Sequence, residues 1–299
     1  IPSLAKPANS FNNDCVVNLL DVEILTDDWL TSGYEFTVAA PPASDPNLEL
    51  YYAFEGSLAD GSGNGRTGEP NGTITYAAGK SGQAISFDGT NFVNVPDYNG
   101  VSGTQSRTCS AWIKATEPGE IVSWGNNTTG QKWIWRLQNE TGGAEVTGAE
   151  RLEVSNGQIV GSTDLLDDAW HHVAVVLDSD GAAEVVDLKL YVDGYLDASS
   201  FVTNQVINTA DLSTVRVGRG PWNDRPFYGQ IDELRVYSRA LSHGEVASLA
   251  GYTSGTVLSQ PVFALLSTLS DTDLNDDEVI DFKDFALLAN TWLDELLWP

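Results

Sequence analysis

The chain is poor in cysteine, methionine and cationic side chains, and each shortage limits what it can do. Its 299 residues include no Met, two Cys, and only 15 Lys and Arg against 42 Asp and Glu, so the formal net charge is -27. Such a charge repels nucleic acids and anionic membrane surfaces and attracts divalent cations. No apolar run is long enough to span a bilayer. We therefore expect neither nucleic acid binding nor membrane insertion.

The two cysteines, Cys15 and Cys109, leave two alternatives open, because their spacing does not say whether they pair. One is a disulfide; the other, which we favour, is an unrelated Cys15 and a small apolar Cys109 on a strand. The lack of Met, the 28 glycines and the start at Ile1 suggest a processed chain, secreted or displayed on the cell surface. Three Asn-x-Thr triplets fit the glycan acceptor pattern, at Asn71, Asn127 and Asn139.

Two similar acidic segments lie near the chain ends, Asn12–Leu30 and Asn275–Leu293, with a glycine-rich body between them. A chain that is 41% hydrophobic and 10% aromatic can bury one substantial core. A repeat that brackets a domain suggests two half-modules that pair with each other. The predicted division is a first half-repeat (1–32), a linker rich in Ala, Pro and Ser (33–47), the body (48–251), a second linker (252–270) and a second half-repeat (271–299).

The body consists of short runs that alternate apolar and polar residues or carry β-branched and aromatic ones, separated by Gly, Asn and Asp clusters. Many short strands with turn signals between them predict an all-β sandwich or barrel. One short helix is predicted over Ala240–Ala250, with Ser242 as N-cap and Glu245 completing a capping box. The predicted strands are Leu48–Phe54, Ala84–Val95, Thr108–Lys114, Lys132–Leu137, Leu152–Val154, His171–Leu177, Leu188–Val192, Thr214–Val217 and Gly229–Tyr237.

The order of motifs along the body resembles the LamG-like family of concanavalin A-type jelly rolls. The segments that carry the resemblance are Leu50–Gly56, Asp60–Gly65, Ala84–Thr90, Ser110–Lys114, Trp170–Asp178, Leu190–Gly194, Val217–Arg219 and Gly229–Ser242. The resemblance covers most of the body. It implies two antiparallel sheets packed face to face, with the first and last strands of the body adjacent.

Each acidic repeat matches the spacing of a calcium loop. Calcium takes six to eight oxygen ligands, and a twelve-residue loop supplies them from positions 1, 3, 5, 7, 9 and 12. In the C-terminal copy these positions are Asp273, Asn275, Asp277, the carbonyl of Val279, Asp281 and Asp284. In the N-terminal copy they are Ser10, Asn12, Asp14, the carbonyl of Val16, Asn18 and Asp21. Having fewer carboxylates, the N-terminal loop should bind calcium more weakly.

A predicted amphipathic helix follows each loop, with apolar residues at helical spacing that end at Trp29 and at Trp292. A loop with a single helix resembles the duplicated segment of dockerin modules, so the chain ends look like two halves of one dockerin. Position 6 usually carries Gly, for a positive φ, but is Cys15 in one copy and Glu278 in the other. This departure costs roughly 1 kcal/mol per site and weakens the expected affinity.

A ten-residue helix is marginal in water, and its apolar face needs cover. We therefore expect the two halves to form a small helical calcium-binding module. They could pair in cis, clamping the body's ends together, or in trans, linking subunits head to tail into a fibre. Docking of both halves onto a cohesin-type partner is a third reading.

The jelly-roll resemblance also implies a second calcium site, where an early loop of the body meets its last strand. By that resemblance the ligands are Asp60, backbone oxygens up to Asn64, and Asp232. The alternative is that Asp60 is only a turn residue and Asp232 an exposed strand residue.

No catalytic motif is present in the sequence. Retaining glycosidases of this fold place two carboxylates about 5 to 5.5 Å apart, and the laminarinase relatives carry them as Glu-x-Asp-x-Glu or Glu-x-Asp-x-x-Glu. The chain contains no Glu-x-Asp. Asp232 and Glu233 are neighbours on a predicted strand, where they would point to opposite faces. The same alternation separates His171 from His172. We therefore expect a protein that is not an enzyme.

Glycan recognition stays open, because sugars bind to exposed aromatic faces beside amides and carboxylates. The candidate ligand-binding residues are Trp222, Trp133, Trp135, Trp124 and Tyr228. Trp133 and Trp135 share one strand face and could form a platform, whereas Trp222 is expected in a loop. The leading hypothesis is a non-catalytic, calcium-stabilised extracellular structural or adhesive protein that assembles through its ends. A carbohydrate-binding lectin module is the main alternative.

Overall fold

A computed structural model describes residues 34–139, 145–179, 181–222 and 225–260. The chain divides into two compact units, one formed by 37–257 and the other by 1–36 with 258–299. Of the second unit, only the segments next to the body belong to the described residues. Both acidic repeats and both predicted calcium loops therefore lie outside the described residues.

Two eight-stranded antiparallel sheets form the larger unit. Sheet I has the strand order β15-β11-β10-β9-β8-β16-β6-β3. Its strands are β3 (Glu69–Asn71), β6 (Phe92–Asn94), β8 (Glu120–Gly125), β9 (Lys132–Leu137), β10 (Glu150–Glu153), β11 (Gln158–Gly161), β15 (Ser199–Thr203) and β16 (Arg216–Val217).

Sheet II has the order β14-β13-β12-β7-β17-β5-β4, and β2 also pairs with β17. Its strands are β2 (Leu48–Tyr52), β4 (Thr75–Ala78), β5 (Gln83–Asp88), β7 (Arg107–Ala115), β12 (His171–Leu177), β13 (Leu188–Val192), β14 (Tyr195–Asp197) and β17 (Tyr228–Tyr237). The predicted sandwich of antiparallel sheets is confirmed, and most of the clearly predicted strands are present.

The inner faces of the two sheets form one apolar core. Period-two alternation along β9 places Trp133, Trp135 and Leu137 in this core, together with Leu152 of β10 and Ile113 of β7. Trp124 stacks on Trp133 with ring centroids 5.6 Å apart. Cys109 of β7 is also buried in the core and has no disulfide partner among the described residues. Cys15 lies outside the described residues, so the proposed alternatives for their pairing stay open.

One helix, α1 (His243–Leu249), packs on the outer face of sheet II. Val246 and Leu241 lie in a second apolar cluster with Val176, Tyr191 and Tyr237 of the sheet. The predicted capping box is present: Ser242 Oγ accepts a hydrogen bond from the Glu245 amide, and the Glu245 carboxylate accepts one from the Ser242 amide. The helix has seven residues, and no helix in the described ranges could cross a membrane.

Two further strands, β1 (Tyr34–Thr37) and β18 (Val257–Gln260), pair with each other as a two-stranded ribbon. The pairing continues into the body, where the Val38 amide donates to the Thr256 carbonyl and the Gly255 amide donates to the Val38 carbonyl, both at 2.8 Å. The sequence pattern assigned both strands to linkers. Neither segment shows an alternation of apolar and polar residues that would predict a strand. Each becomes a strand by pairing with the other, which is distant in sequence.

Candidate functional site

Three of the five predicted sugar-binding aromatic residues are core residues. Trp124, Trp133 and Trp135 are completely buried, so the prediction that Trp133 and Trp135 form a platform is wrong. The two side chains do share one face of β9, but that face is the inner one. The indole of Trp135 donates a 2.6 Å hydrogen bond to Glu150 Oε1, also inside the core.

The other two aromatic candidates lie near one another in the sequence, and the structure places them differently from the first three. Trp222 is half-buried in the loop before β17. Tyr228 begins β17 and is 37% exposed, which makes it one of the few large exposed side chains of the described residues. Its ring lies over Gly89, where a Cβ would come within 2.3 Å of Tyr228 Cζ. Gly89 has φ +82°, so the turn after β5 both needs a glycine and leaves room for the ring.

A cleft of about 320 Å³ opens beside Tyr228, at the rim where β8 begins, β9 ends and β17 begins. We call it the rim cleft. The described residues that line it are Pro118, Gly119, Leu137, Asn139, Arg225, Pro226 and Tyr228. An aromatic ring, an amide and a guanidinium thus converge on one concave surface. This combination of an apolar face with a few polar groups is typical of small-ligand sites.

Backbone hydrogen bonds fix the walls of the rim cleft. The Leu137 amide donates to the Gly119 carbonyl at 2.9 Å, and the Glu120 amide donates to the Arg225 carbonyl at 3.0 Å. Gly119 is required here, because a Cβ would lie 2.6 Å from Phe227 Cα and from the Pro226 carbonyl oxygen. The cleft is therefore held by the strand ends of the sandwich itself. The sequence pattern indicated Tyr228 as a ligand-binding residue, marked Asn139 only as a glycan acceptor, and gave no sign of Arg225.

Behind the rim cleft, the outer face of sheet I carries a cluster of charged side chains around Glu153. Lys132 Nζ lies 2.5 Å from Glu153 Oε1, and Arg151 Nη2 lies 2.9 Å from Oε2. Arg136 Nη2 and Arg225 Nη1 approach the same Oε2 at 3.7 and 3.8 Å. Register explains the convergence, because Arg151 is paired with Arg136 and Glu153 with Ile134, on the face opposite the core tryptophans.

Glu120 lies in the same charged cluster but titrates differently from Glu153. Burial raises the pKa of Glu120 to about 7, although the charges of Arg136 and Arg225 act to lower it. Burial also acts to raise the pKa of Glu153, but the hydrogen bond from Lys132 and the charges of Lys132 and Arg151 bring it below its usual value. Two carboxylates with pKa values pushed apart are the pattern of an acid and base pair. Glu120 is not accessible, however: it is completely buried, and a Cβ on Gly220 would lie 1.8 Å from Glu120 Oε2, whereas Glu153 is 14% exposed but shared among several cations.

The residues implied as a second calcium site do not fit a cation as a set. Asp60 Oδ1 accepts hydrogen bonds from the amides of Tyr51 and Ser62, and Oδ2 accepts from the Ser62 hydroxyl and the Arg66 amide, at 2.8 to 3.1 Å. Hydrogen-bond donors therefore face both carboxylate oxygens. Partial burial acts to raise the pKa of Asp60, but these donated hydrogen bonds bring it below its usual value. The amide nitrogen of Asn64 donates to the Leu48 and Glu49 carbonyls. Among the described residues no three His, Cys, Asp or Glu side chains form a group that could hold a metal.

Asp232 lies elsewhere, on the outer face of β17. Its Oδ2 accepts a 2.9 Å hydrogen bond from the Ser81 amide, and burial raises its pKa to about 6. Its Oδ1 is buried without a hydrogen-bond partner among the described residues. Asp60 is thus a turn residue, as the alternative reading had it, whereas Asp232 is a buried carboxyl and not an exposed one.

The expectation that Asp232 and Glu233 point to opposite faces fails because β17 is not regular there. The register shifts between Asp232 and Arg235, and Glu233 has φ +53°. Such a bulge adds one residue and breaks the alternation. The Tyr51 hydroxyl donates a hydrogen bond to Glu233 at 3.0 Å. Burial, together with the negative charges of Glu233 and Asp232, raises the pKa of Tyr51. Glu233 is in turn paired with Arg235 at 2.5 Å, so this pair is part of an ion-pair network.

The three histidines have structural surroundings. His171 lies between Asp193 and Asp167, at 2.8 and 3.2 Å from its two ring nitrogens. His172 is buried beside Trp112, and burial lowers its pKa to about 3. His243, in α1, donates a hydrogen bond from Nε2 to the Gly194 carbonyl, 3.0 Å away. These contacts are packing and hydrogen bonds within the framework of the sandwich.

Comparison with solved structures finds domain 4 of AbnA, a GH43 extracellular arabinanase from Geobacillus stearothermophilus, solved in complex with arabinotriose. It is 27% identical, with a TM-score of 0.54, and the match covers 68% of this chain and 98% of that one. The binding domain of Paraclostridial Mosquitocidal Protein 1 is 17% identical with a TM-score of 0.50, over 68% of this chain and 52% of that one. The match thus spans about half the length of the toxin domain, and it shows the fold alone.

No curated protein matches the chain in sequence. The family model of the Concanavalin A-like lectin/glucanases superfamily, Laminin_G_3, matches residues 87–247. This range includes the rim cleft's Arg225 and Tyr228 and the charged cluster around Glu153. Because the match spans more than half of the chain, and the two-sheet sandwich agrees with it, this protein belongs to the Concanavalin A-like lectin/glucanases superfamily.

Proposed function

We propose that this protein is a non-catalytic carbohydrate-binding module and that the rim cleft is its ligand site. The observation that carries the proposal is the exposed ring of Tyr228 on a concave surface that also holds the Asn139 amide and the Arg225 guanidinium. A sugar ring offers an apolar face for the phenol and hydroxyl groups for the amide. Family membership supports the proposal, as does the arabinanase domain solved with arabinotriose, the match that covers nearly all of that domain.

A binding role is favoured over catalysis by the way the described carboxylates are held. Glu120 lies beneath the Gly220 backbone, Glu150 is bonded to Trp135 inside the core, and Glu153 is shared among several cations. A general acid must come within hydrogen-bond reach of the bond it protonates. These carboxylates serve the framework of sheet I, whereas Tyr228 is available to a ligand.

The test is isothermal titration of the whole protein with a panel of neutral oligosaccharides that includes arabinotriose. Tyr228→Ala removes the ring and should weaken binding about fivefold or more, because an aromatic face contributes roughly 1 kcal/mol or more to such contacts. Tyr228→Phe retains the ring and should bind nearly as well. Leu212→Ala, at a residue that is 71% exposed outside the cleft, is the matched surface control. If Tyr228→Ala binds the oligosaccharides as tightly as the wild-type chain does, the ligand site lies outside the rim cleft.

The terminal repeats support a second role, binding calcium and pairing with each other. We propose this from the ligand spacing of Asp273 to Asp284 and from the β1 and β18 ribbon, which pairs residues 34–37 before the body with residues 257–260 after it. Two segments that are tethered close together have an effective concentration relative to each other in the millimolar range. Pairing in cis is therefore favoured over assembly between chains, and docking onto a cohesin-type partner would use the same paired surface.

Calcium titration with a chelator-treated sample tests this second role. The intact chain should bind calcium with a stoichiometry that falls when Asp281 is changed to Asn, and the matched Asp60→Asn change should leave it unaltered. Light scattering with and without chelator then separates the forms of pairing. A monomer under both conditions rules out a polymer, and a chain that takes up no calcium overturns the role altogether.

A further inference from the structure

The turn after β5 lies directly beside the ring of Tyr228. Where β17 pairs with β5, Tyr228 stands opposite Asp88, the last residue of β5. Gly89 follows, and it is buried although Asp88 and Thr90 on either side of it are exposed. A Cβ at Gly89 would lie 2.3 Å from Tyr228 Cζ, 2.4 Å from Cε1 and 2.5 Å from the hydroxyl oxygen. The phenol end of the ring therefore rests on the backbone of this glycine.

Side-chain hydrogen bonds hold this turn in place. Asp88 Oδ1 accepts from the Thr90 amide at 2.9 Å and from the Thr90 hydroxyl at 2.7 Å. Asn91 is 1% exposed, and its Oδ1 accepts from the Asp88 amide at 3.2 Å. The Nδ2 of Asn91 donates to the carbonyls of Thr73 and Ser86, at 2.8 and 3.1 Å. The turn is therefore tied both within itself and to the chain segments beside it.

The backbone next to Tyr228 is held by the strands on both sides of β17. Gly229 pairs with Phe87 of β5 and with Ala115 of β7. A Cβ at Gly229 would lie 2.1 Å from the Lys114 carbonyl oxygen, so the two strands approach closely there. Tyr228 thus contacts a fixed turn, extends from a fixed backbone and lines the rim cleft. A side chain that is ordered before the ligand arrives loses little conformational freedom on binding, which raises affinity.

We infer that Gly89 is a positioning residue for the rim cleft, because the turn from Asp88 to Asn91 fixes the Tyr228 ring in the orientation on which a sugar packs. Gly89 acts through the ring and makes no contact with the ligand. A side chain at this position would occupy the place of the phenol and displace the ring from the turn. The inference rests on the proposed carbohydrate-binding function, and it makes affinity depend on a turn that lies behind the ligand site.

Calorimetry of the intact protein with arabinotriose and the panel of neutral oligosaccharides tests this role. Gly89→Ala should weaken binding about fivefold or more, as Tyr228→Ala does, because it displaces the same ring. Gly63→Ala is the matched control. Gly63 also has a positive φ, +91°, but a Cβ there would meet no atom of the described residues within 4 Å beyond its chain neighbours. This control imposes the same kind of backbone strain and should leave affinity unchanged.

A double variant separates positioning of the ring from a general effect on the fold. Gly89→Ala added to Tyr228→Ala should weaken binding no further, because the ring through which Gly89 acts is already gone. Losses that multiply in the double variant would overturn the role of Gly89. Wild-type affinity in the single variant Gly89→Ala would overturn it as well.

Asp88 provides a test that does not require Gly89→Ala to fold, because the side chain of Asp88 is exposed. Asp88→Ala removes the acceptor for Thr90 and should weaken binding about twofold, whereas Asp88→Asn retains an acceptor oxygen and should restore it. Wild-type affinity in Asp88→Ala would overturn the role of the turn and leave the proposed function standing. If the wild-type chain binds none of the oligosaccharides, the proposed function itself is overturned.

Discussion

The outer faces of the two sheets are built from different chemistry. Part of sheet II is covered by α1, which buries Val246 and Leu241 against Val176, Tyr191 and Tyr237, while Asp232 and the Glu233–Arg235 pair lie elsewhere on this sheet. Sheet I carries the buried cations Lys132, Arg136 and Arg151, linked through the half-buried Glu153, with the buried Glu120 beside them. Apolar burial stabilises a fold with little demand on geometry. Buried charges require exact partners and are often no more stabilising than apolar residues of the same volume.

The comparison indicates which face is concerned with binding. A chain that needed only stability could cover sheet I as it covers sheet II. The charged cluster is instead placed directly behind the rim cleft and shares Arg225 with it. We interpret sheet II as the supporting face and sheet I with its rim as the functional one. Three substitutions test this division.

The largest effect is expected from Glu120→Gln. The folded pKa of Glu120 is raised from 4.5 to about 7, so between these values the native state binds more protons than the unfolded state and stability falls as pH rises. Gln cannot ionise, so the variant should gain on the order of 3 kcal/mol over wild type between pH 4.5 and pH 7. Urea unfolding of both proteins across this range measures the gain. A constant difference at every pH would show that Glu120 titrates normally.

A smaller effect, of opposite sign, is expected from Val246→Ala on sheet II. Removing two methyl groups from this fully buried side chain should destabilise the protein by about 2 kcal/mol, without changing glycan affinity. Val257→Ala deletes the same groups from a side chain that is 57% exposed and is the matched control. Glycan binding that weakens in Val246→Ala while the protein remains folded would contradict the division between the two faces.

The smallest effect is expected from His171→Gln, on β12 of sheet II. The hydrogen bond with Asp193 raises the pKa of His171 above 6.5, with burial opposing it. The stabilisation is therefore complete below pH 6.5 and is lost as pH rises through the folded pKa. Because Asp193 and Asp167 are both about half exposed, the loss should stay under about 1 kcal/mol. Thermal melts of both proteins at pH 5.5 and pH 8 measure it, and a larger loss at pH 8 would reverse the sign.

Alternation and turn residues were sufficient to predict the central strands. The bounds of β9, β12 and β13 agree with the prediction, and Ser242 and Glu245 cap α1 as expected. Prediction failed where a partner distant in sequence decides the structure. Strands β1 and β18 exist only through each other, and β8, with Trp124, is buried on both faces and so shows no alternation.

The site was harder to predict than the fold for a related reason. A tryptophan on a strand looks the same in sequence whether its face is inner or outer, and Trp133 and Trp135 face inward. Arg225 and Asn139 meet Tyr228 only because two strand ends and a loop converge at the rim. The bulge at Glu233 likewise follows from pairing with β7, which local sequence does not reveal. The order of motifs along the body, in contrast, was sufficient to indicate the family.

The ribbon of β1 and β18 has a mechanical consequence. Any load applied through the two ends of the body reaches the hydrogen bonds of this ribbon before it reaches either sheet. Bonds at one end of a paired strand open one after another under such a pull, so each bears the force alone. The ribbon would then yield at low force, and the sandwich with its rim cleft would remain folded on an extended tether.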